Sequence, residues 1–331
     1  MKEAKYWESV EGDAVKCNLC PHHCLIQEGE SGICRVRENH DGKLYSVIYG
    51  KAASLAVDPI EKKPLYHFHP GTKVLSYGTM GCNFKCLYCQ NASISCGDPH
   101  SSFLKDYSVD EIVKEASKYD GFASTYNEPT ISYEYTYDIF KKMKENNDGY
   151  TIYVTNGYIE EQPLRDLAPY LDAMNIDVKA FHEEFYKKIV KGKLQPVLDT
   201  CELAVELGIH VEVTYLVVPG YNDSSEEIRE FVDWVRENLG EDTVTHFSKF
   251  HPDHDMRDVP ATSAEKMREA REVALDAGLN FVYLGNLPAD NDTRCPDCGE
   301  TIVSRSFFSS GEVNLKKGKC PNCGRDIPIV M

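Results

Sequence analysis

The stretch MGCNFKCLYCQN at residues 80–91 decides which fold and which chemistry to expect of this chain. It contains three cysteines, Cys82, Cys86 and Cys89, in a C-x3-C-x2-C array, and a run of β-type residues at 74–77 precedes it. Thiolates grouped so closely in one loop suit an iron–sulfur cluster. A cubane cluster has four irons, so three protein ligands would leave one iron open to an exogenous ligand. By analogy with zinc, an open coordination position indicates chemistry, whereas a closed site is structural.

The array C-x3-C-x-Φ-C, with the aromatic Tyr88 before its last cysteine, resembles the signature of radical S-adenosylmethionine (SAM) enzymes. More narrowly, CNFKCLYCQN is similar to the pyruvate formate-lyase activating enzymes, and more closely to the radical SAM member of the AmmeMemoRadiSam system. The resemblance implies that Cys82, Cys86 and Cys89 hold a catalytic [4Fe-4S] cluster that cleaves SAM. It also implies that the resulting 5′-deoxyadenosyl radical abstracts hydrogen from a substrate. The alternative is a zinc knuckle or a buried group of cysteines, although C-x2-C is the usual zinc spacing.

Composition limits the classes of function open to the chain. Its 331 residues are 42% hydrophobic, which is enough for a sizeable core. A net charge of −17 argues against a nucleic-acid or anionic-membrane surface. No apolar run reaches the ~18–20 residues that span a bilayer, and residues 1–15 lack the apolar core of a signal peptide. We therefore expect a cytoplasmic protein whose 13 cysteines are metal ligands rather than disulfides.

Residues 1–50 are predicted to form a small metal-binding module. The segment is rich in loop-forming glycine and has little core of its own, so a bound metal would supply stability. Four thiolates suit tetrahedral zinc, which we favour, and they equally suit a second iron–sulfur cluster. His22 and His23 are candidate substitute ligands, and free reduced cysteines remain the plain alternative. The proposed ligands follow a C-x2-C-x3-C-x9-C pattern: Cys17, Cys20, Cys24 and Cys34.

Residues 290–331 are predicted to form a zinc ribbon. They contain two C-P-x-C-G knuckles, Cys295 to Cys298 and Cys320 to Cys323. Paired knuckles of this kind are a strong sign of structural zinc. A rubredoxin-like redox iron is the alternative. The AmmeMemoRadiSam radical enzymes end in a similar ribbon, so the resemblance extends over nearly the whole chain.

Between these modules, residues 51–289 alternate β-rich runs with amphipathic helical stretches. Alternation at this spacing indicates parallel β/α units with right-handed crossovers. The count of six or seven units fits the α/β fold that the resemblance implies, a partial open (β/α)6 barrel. Residues 51–73 are proline-rich and predicted to be an irregular loop that carries His67 and His69. This loop is either a wall of the active site or a plain connector whose histidines are solvated or packed. Strands are predicted at 74–78, 122–126, 151–155, 173–178, 211–217, 244–248 and 281–284, and helices at 108–119, 132–146, 160–170, 198–207, 225–239 and 262–277.

Such folds place chemistry where strands end, and polar motifs follow the predicted strands. The resemblance implies that Tyr88 lies against the adenine of SAM. Activating enzymes contact the SAM amino group through G-G-E-P, and residues 126–129 here read Tyr-Asn-Glu-Pro, without the two glycines. Residues 155–157 match the T-N-G motif of the family, and residues 177–179 match its D-x-K motif. The resemblance implies that the lysine of D-x-K faces the SAM carboxylate and that its aspartate lies by a cation site. The implied cofactor-binding residues after these strands are Asn127, Glu128, Thr155, Asn156, Asp177 and Lys179.

Two cysteines, Cys96 and Cys201, stand apart from the three groups. Cys96 comes seven residues after the last cysteine of the 80–91 loop, so it is either a radical or acid–base partner or a small buried apolar side chain. We favour the buried side chain, which is the commoner role of a free cysteine.

Two classes of function follow. The first is a radical SAM oxidoreductase, similar to activating enzymes, with a protein or peptide substrate. The resemblance implies an electron donor such as ferredoxin or flavodoxin. The name of the AmmeMemoRadiSam system also implies Memo-like and AMMECR1-like partners. The second is a multi-metal iron–sulfur and zinc protein for binding or electron transfer without SAM chemistry. Binding of SAM, seen as a change in the cluster spectrum, distinguishes them.

Overall fold

The computed structural model describes residues 1–331, and one sheet of eight strands forms its centre. The strands follow one another across the sheet in chain order, so each is paired with its neighbours in sequence. β1 runs antiparallel to β2, and all later pairs are parallel. The strands are β1 Ser54–Pro59, β2 Lys73–Gly78, β3 Gly121–Ser124, β4 Tyr150–Thr155, β5 Ala173–Asp177, β6 His210–Val217, β7 Val244–Lys249 and β8 Val282–Gly285.

The first and last strands of this sheet are not paired with each other, so the sheet stays open. Six crossovers join the seven parallel strands, which confirms the predicted series of parallel β/α units. None of the helices is both long enough and apolar enough to span a bilayer. The helices are α1 Ala92–Ser95, α2 Val109–Ala116, α3 Tyr133–Asn146, α4 Glu161–Leu167, α5 Glu183–Phe185, α6 Gln195–Glu206, α7 Ser225–Asn238 and α8 Ala264–Asp276.

Local sequence explains where the longer helices begin. Ser108 caps α2 in a reciprocal capping box with Glu111. Ser224 caps α7 and Ser263 caps α8 with one of the two bonds of a capping box. Each serine side chain accepts a hydrogen bond from a backbone N–H of the first helical turn. These caps fix the helix starts that return the chain to the next strand.

The prediction of an irregular loop at 51–73 is wrong for its first part. Ser54–Pro59 is a strand along the edge of the sheet, followed by a 3-10 turn at Ile60–Lys62. Proline is tolerated there because it ends an edge strand, where one N–H faces away from the ladder.

The N-terminal module consists of two small antiparallel sheets packed against the central α/β domain. The buried Arg37 fastens it, because its guanidinium donates to the Glu134 carboxylate of α3 at 3.0 Å. Both side chains are 2% exposed. The strands of the module are Lys2–Glu3, Arg37–His40 and Lys43–Ser46 in one sheet, and Trp7–Ser9, Val15–Cys17 and Leu25–Ile26 in the other.

The C-terminal module covers the loop that precedes β2. Its short strands include Thr293–Arg294 and Thr301–Val303. His67 lies fully buried at this contact, with Nε2 2.7 Å from the Tyr283 hydroxyl. His69 stacks on the ring of Tyr150. Both histidines therefore lie in a packed connector, away from the cavity described below.

Candidate active site

A cavity of about 570 Å³ opens where the parallel strands end. Its size is typical of small-molecule sites, and its lining is more polar than most of them. All ten residues predicted for the catalytic and cofactor sites line this one cavity: Cys82, Cys86, Tyr88, Cys89, Asn127, Glu128, Thr155, Asn156, Asp177 and Lys179. The structure thus brings together residues that stand up to 97 positions apart in the chain (179 − 82).

The cysteine loop after β2 is held by main-chain hydrogen bonds to the segment 186–190. The N–H of Lys85 donates to the carbonyl of Val190 at 3.0 Å, and that of Leu87 donates to Ile189 at 3.1 Å. Within the loop, the Phe84 N–H donates to the Cys82 sulfur at 3.3 Å. Backbone contacts therefore fix the sulfurs before any cofactor is bound.

The spacing of the three sulfurs suits a cluster better than one ion. The Sγ atoms of Cys82, Cys86 and Cys89 are not all within 4.8 Å of one another, whereas sulfurs around one tetrahedral zinc lie roughly 3.8 Å apart. No other cysteine lines the cavity. Burial raises the pKa of Cys86 to about 12 and that of Cys82 further, so buried thiolates here need a cationic group beside them. The hydroxyl of Tyr88 is buried without a hydrogen-bond partner and is free for a bound group. The donor set fits a three-cysteine iron–sulfur cluster.

Glu128 is the most restrained carboxylate of the cavity. Its oxygens accept hydrogen bonds from the Thr155 hydroxyl at 2.7 Å, the Asn156 N–H at 2.8 Å and the Thr130 N–H at 2.9 Å. Burial raises the pKa of Glu128, while these bonds oppose the rise. A carboxylate has room for about four hydrogen bonds, so one more donor can bind.

Asp177 and Lys179 form an ion pair on the cavity surface. The distance from Lys179 Nζ to Asp177 Oδ2 is 2.6 Å, and the lysine side chain is 16% exposed. Burial alone would lower the pKa of Lys179, but the adjacent Asp177 carboxylate raises it above its usual range. The cavity therefore offers the Lys179 ammonium, held in place by Asp177, to an anionic group of a ligand.

Comparison with known proteins agrees with this geometry. The radical SAM superfamily profile matches residues 76–235, which include the cysteine loop, Glu128, Asp177 and Lys179. The chain contains a radical SAM domain. It is 46% identical over the full length of both chains to an uncharacterized protein of Methanocaldococcus jannaschii.

The radical SAM domain is homologous to the pyruvate formate-lyase activating enzymes. The chain is 23% identical over 178 residues to pyruvate formate-lyase 1-activating enzyme of Escherichia coli, a match that covers 51% of this chain and 70% of that enzyme. Among solved structures, Streptococcus suis SuiB bound to S-adenosylmethionine superposes with a TM-score of 0.50 at 15% identity, over 65% of this chain and 52% of that chain. This last likeness concerns the fold alone.

Asn127 and Asn156 position the radical SAM site. Asn127 Nδ2 donates to the carbonyl of Gly81 at 2.7 Å, and its Oδ1 accepts from the Thr79 N–H at 3.1 Å. Asn156 Nδ2 donates to Asn83 Oδ1 at 2.8 Å. Both side chains thus bind the cysteine loop, a role that their sequence motifs did not indicate.

Tyr126 takes the place of the first glycine in the altered G-G-E-P motif. Its φ of 69° keeps the left-handed conformation that glycine adopts readily. The phenol hydroxyl donates to Asp58 Oδ2 at 2.6 Å, and Lys63 Nζ contacts the same carboxylate at 2.8 Å. Side-chain contacts therefore hold a strained backbone where the family has glycine.

One of the two interpretations of residues 51–73, a wall of the active site, is confirmed for part of that segment in the radical SAM cavity. Lys62, Lys63 and Pro64, from the turn after β1, line it. Their only sequence signal was the basic pair in a proline-rich segment. His251 also lines the cavity, whereas His254 lies outside it beside Asp255.

The two isolated cysteines lie outside the radical SAM cavity. Cys201 is fully buried in α6 and acts as a small core side chain. Cys96 is exposed, so its predicted burial is wrong.

The C-terminal knuckles form a second candidate metal centre. Cys295 and Cys323 sulfurs are 3.5 Å apart, and Cys298 and Cys320 sulfurs are 3.6 Å apart. All four lie within 4.8 Å of one another, close to the roughly 3.8 Å of a tetrahedral thiolate ion site. This centre can hold one metal ion.

Gly81 in the radical SAM loop is a position where alanine should destabilise the fold. Its φ is 93°, and a Cβ there would lie 2.6 Å from Val36 Cγ1 and 2.7 Å from the Cys34 carbonyl oxygen. We expect Gly81→Ala to lower the free energy of unfolding by about 1–3 kcal/mol through overpacking, with a further ~1 kcal/mol from the left-handed backbone. Chemical denaturation measures the change.

The matched control for Gly81→Ala is Gly12→Ala. Gly12 has a φ of 76°, and nothing lies within 4 Å of the position that a methyl group would take there. That variant should show only the backbone cost. Equal losses in the two variants would contradict close packing between the cysteine loop and the N-terminal module.

Proposed function

We propose that this chain is an activating-enzyme-like radical SAM oxidoreductase that reductively cleaves SAM at a [4Fe-4S] cluster and takes hydrogen from a protein or peptide. The observation that carries the proposal is the composition of one cavity. Three thiols of a single loop share it with a buried carboxylate, Glu128, and with the Asp177–Lys179 pair. The similarity to pyruvate formate-lyase activating enzymes supports a protein or peptide as the substrate.

The chain's own residues have distinct roles in this proposal. Cys82, Cys86 and Cys89 would hold the cluster, which supplies the electron for homolytic cleavage of SAM when bound. Glu128 offers its remaining lone pairs to the SAM ammonium, a charge-assisted bond. Lys179 neutralises the SAM carboxylate, because an ammonium attracts a carboxylate in a partly buried site.

Tyr88, Asn127, Thr155 and Asn156 complete the proposed SAM site. Tyr88 is 6% exposed and presents its ring to the cavity, where it would pack on the adenine. Thr155 orients Glu128 through its hydroxyl. Enclosure by these side chains keeps water from the reacting atoms, which protects a reactive intermediate.

We further propose zinc at the C-terminal ribbon, because its four sulfurs already have the spacing of a tetrahedral ion site. A low-potential ferredoxin or flavodoxin is the proposed electron donor. Memo-like and AMMECR1-like proteins are proposed partners, on the resemblance to the AmmeMemoRadiSam system, and a cytoplasmic location is proposed from composition.

The test is anaerobic reconstitution of the full chain with iron and sulfide, followed by SAM and dithionite. We expect 5′-deoxyadenosine and methionine as products, and a change in the cluster spectrum when SAM is added before reduction. Fully loaded protein that gives neither result would overturn the proposal and favour a binding or electron-transfer protein. Incubation with candidate partner proteins, followed by mass spectrometry, tests the substrate class.

Glu128→Gln should weaken SAM binding. The change removes a charge-assisted bond of about 1.5–3 kcal/mol, which corresponds to a rise in Kd of roughly tenfold to a hundredfold. Isothermal titration of cluster-loaded protein measures the Kd, and iron content and Tm report whether the site survives. Glu230→Gln, an exposed change on α7, is the control and should leave Kd unchanged. An unaltered Kd in Glu128→Gln would remove Glu128 from the SAM site.

A further inference from the structure

The N-terminal cysteines surround a cavity of their own. Its volume is about 20 Å³, and it is lined by Cys17, Cys20, Cys24 and Cys34 together with apolar side chains. Cys17 and Cys34 are buried, and the other two are partly buried. This cavity is distinct from the one that contains the radical SAM loop.

These four sulfurs do not converge on a single-ion position, as the four C-terminal sulfurs do. No three of them lie within 4.8 Å of one another, in contrast to the four C-terminal sulfurs of the same chain. A tetrahedral zinc holds its sulfurs at about 2.3 Å, which leaves no room for even a water-sized sphere between them. A cavity of about 20 Å³ exceeds the volume that one water needs. The cavity therefore has room for a body larger than one ion.

The lining of this cavity also contains hydrogen-bond donors that suit an anionic ligand. The buried Arg37 lines it, and its Nε has no hydrogen-bond partner. The Thr130 hydroxyl lines it as well and is likewise buried without a partner. The backbone N–H of Ile33 also donates to the Cys24 sulfur at 3.5 Å. Such donors stabilise the sulfurs of a negatively charged thiolate cluster.

The neighbouring histidines have other partners. His22 Nε2 lies 2.7 Å from the carbonyl oxygen of Asn83. His23 Nε2 lies 3.1 Å from a carboxylate oxygen of Glu160, on the surface. A ligand set of four cysteines is therefore the simplest one that the module offers.

We infer that the N-terminal module holds a second [4Fe-4S] cluster, ligated by Cys17, Cys20, Cys24 and Cys34. The sequence pattern favoured zinc at these residues, and the spacing of the sulfurs favours the iron–sulfur alternative. With four protein ligands this cluster has no open iron. Its assembly does not depend on SAM cleavage, so it can be tested apart from the proposed function.

This second cluster would lie directly beside the radical SAM loop. Asn83, the neighbour of Cys82, lines the N-terminal cavity and also accepts a hydrogen bond from Asn156 in the radical SAM cavity. Gly81 packs against the carbonyl of Cys34. A single layer of residues therefore separates the two sites.

The decisive experiment counts metals in a variant that lacks the first cluster. We expect the full chain with Cys82, Cys86 and Cys89 all changed to alanine to retain about four irons and four sulfides, with about one zinc at the ribbon. Iron-free protein with about two zincs, or with an empty N-terminal site, would overturn the inference.

The wild-type protein gives a second count, which does not depend on the folding of that variant. We expect about eight irons and about one zinc per chain after anaerobic reconstitution. About four irons and two zincs would overturn the inference. In the reduced wild type, electron paramagnetic resonance should show magnetic interaction between two clusters, and two independent signals would contradict their placement on either side of Asn83.

Discussion

Replacing Cys86 with alanine is expected to abolish 5′-deoxyadenosine formation, leaving no product above the no-enzyme background. Cys86 is one of only three cysteines that line the large cavity. With two ligands left, the loop cannot hold a cubane cluster with a single open iron. Anaerobic turnover with SAM and dithionite measures the product, and the iron content should fall by about four per chain.

The control for Cys86→Ala is Cys201→Ala. Cys201 is fully buried in α6 and does not line the cavity, so this variant should keep both its iron and its turnover. A Cys86→Ala protein that still cleaves SAM would place the cluster elsewhere in the chain. Loss of turnover in both variants would point to a general folding defect instead.

The radical SAM site was predictable because strand ends were predictable. Thr155 closes β4 and Asp177 closes β5, and parallel strands bring their carboxyl ends to one edge. Once each motif was assigned to the end of a strand, the fold class predicted that the motifs meet in one cavity. No knowledge of side-chain packing was needed for that step.

Side-chain partners within the site were not predictable. The sequence motif predicted that Glu128 binds a ligand. Its oxygens also accept hydrogen bonds from Thr155 and Asn156, which lie 27 and 28 residues away in the chain. Such pairs depend on the distance between neighbouring strands. The edge strand Ser54–Pro59 was missed for a related reason, since its pairing with β2 depends on the fold and its prolines suggested a loop.

The spacing of the cysteines along the chain also did not determine which metal group the N-terminal module binds. C-x2-C-x3-C-x9-C is compatible with one ion or with a cluster, because backbone loops can place the same sulfurs closer together or farther apart. At the C-terminus, two knuckles of the same C-P-x-C-G pattern gave a definite expectation, and the four sulfurs converge. The difference lies in three-dimensional spacing, which only the structure provides.

The second large effect concerns Glu212, near the start of β6 and thus at the end of the sheet opposite the cavity. This fully buried carboxylate accepts the backbone N–H groups of Tyr66 at 2.9 Å and His67 at 2.7 Å. It also contacts His246 Nε2 at 2.6 Å and His210 Nε2 at 3.1 Å. Glu212 thereby joins β6 and β7 of the central sheet to the loop under the C-terminal module.

Glu212→Ala is expected to lower the free energy of unfolding by about 3–5 kcal/mol, because it leaves buried donors unpaired. Each kcal/mol corresponds to a fall in Tm of roughly 2–4 °C for a domain of this size class. Thermal and denaturant unfolding measure both quantities. Glu206→Ala, an exposed change on α6, is the control and should stay within about 0.5 kcal/mol. Equal stability of the two variants would show that the Glu212 network contributes little.

The same carboxylate predicts a direction of pH dependence. Burial alone would raise the pKa of Glu212, but its bonds to His210 and His246 outweigh burial and hold the pKa well below its ordinary value. A carboxylate of this kind stabilises the fold above its unfolded pKa of about 4.3 and loses that contribution as pH falls toward the folded pKa. We therefore expect the difference in stability between wild type and Glu212→Gln to shrink as pH is lowered below about 4.3. Denaturant unfolding at stepped pH measures this difference, and a gap that widens toward acid would refute the assigned direction.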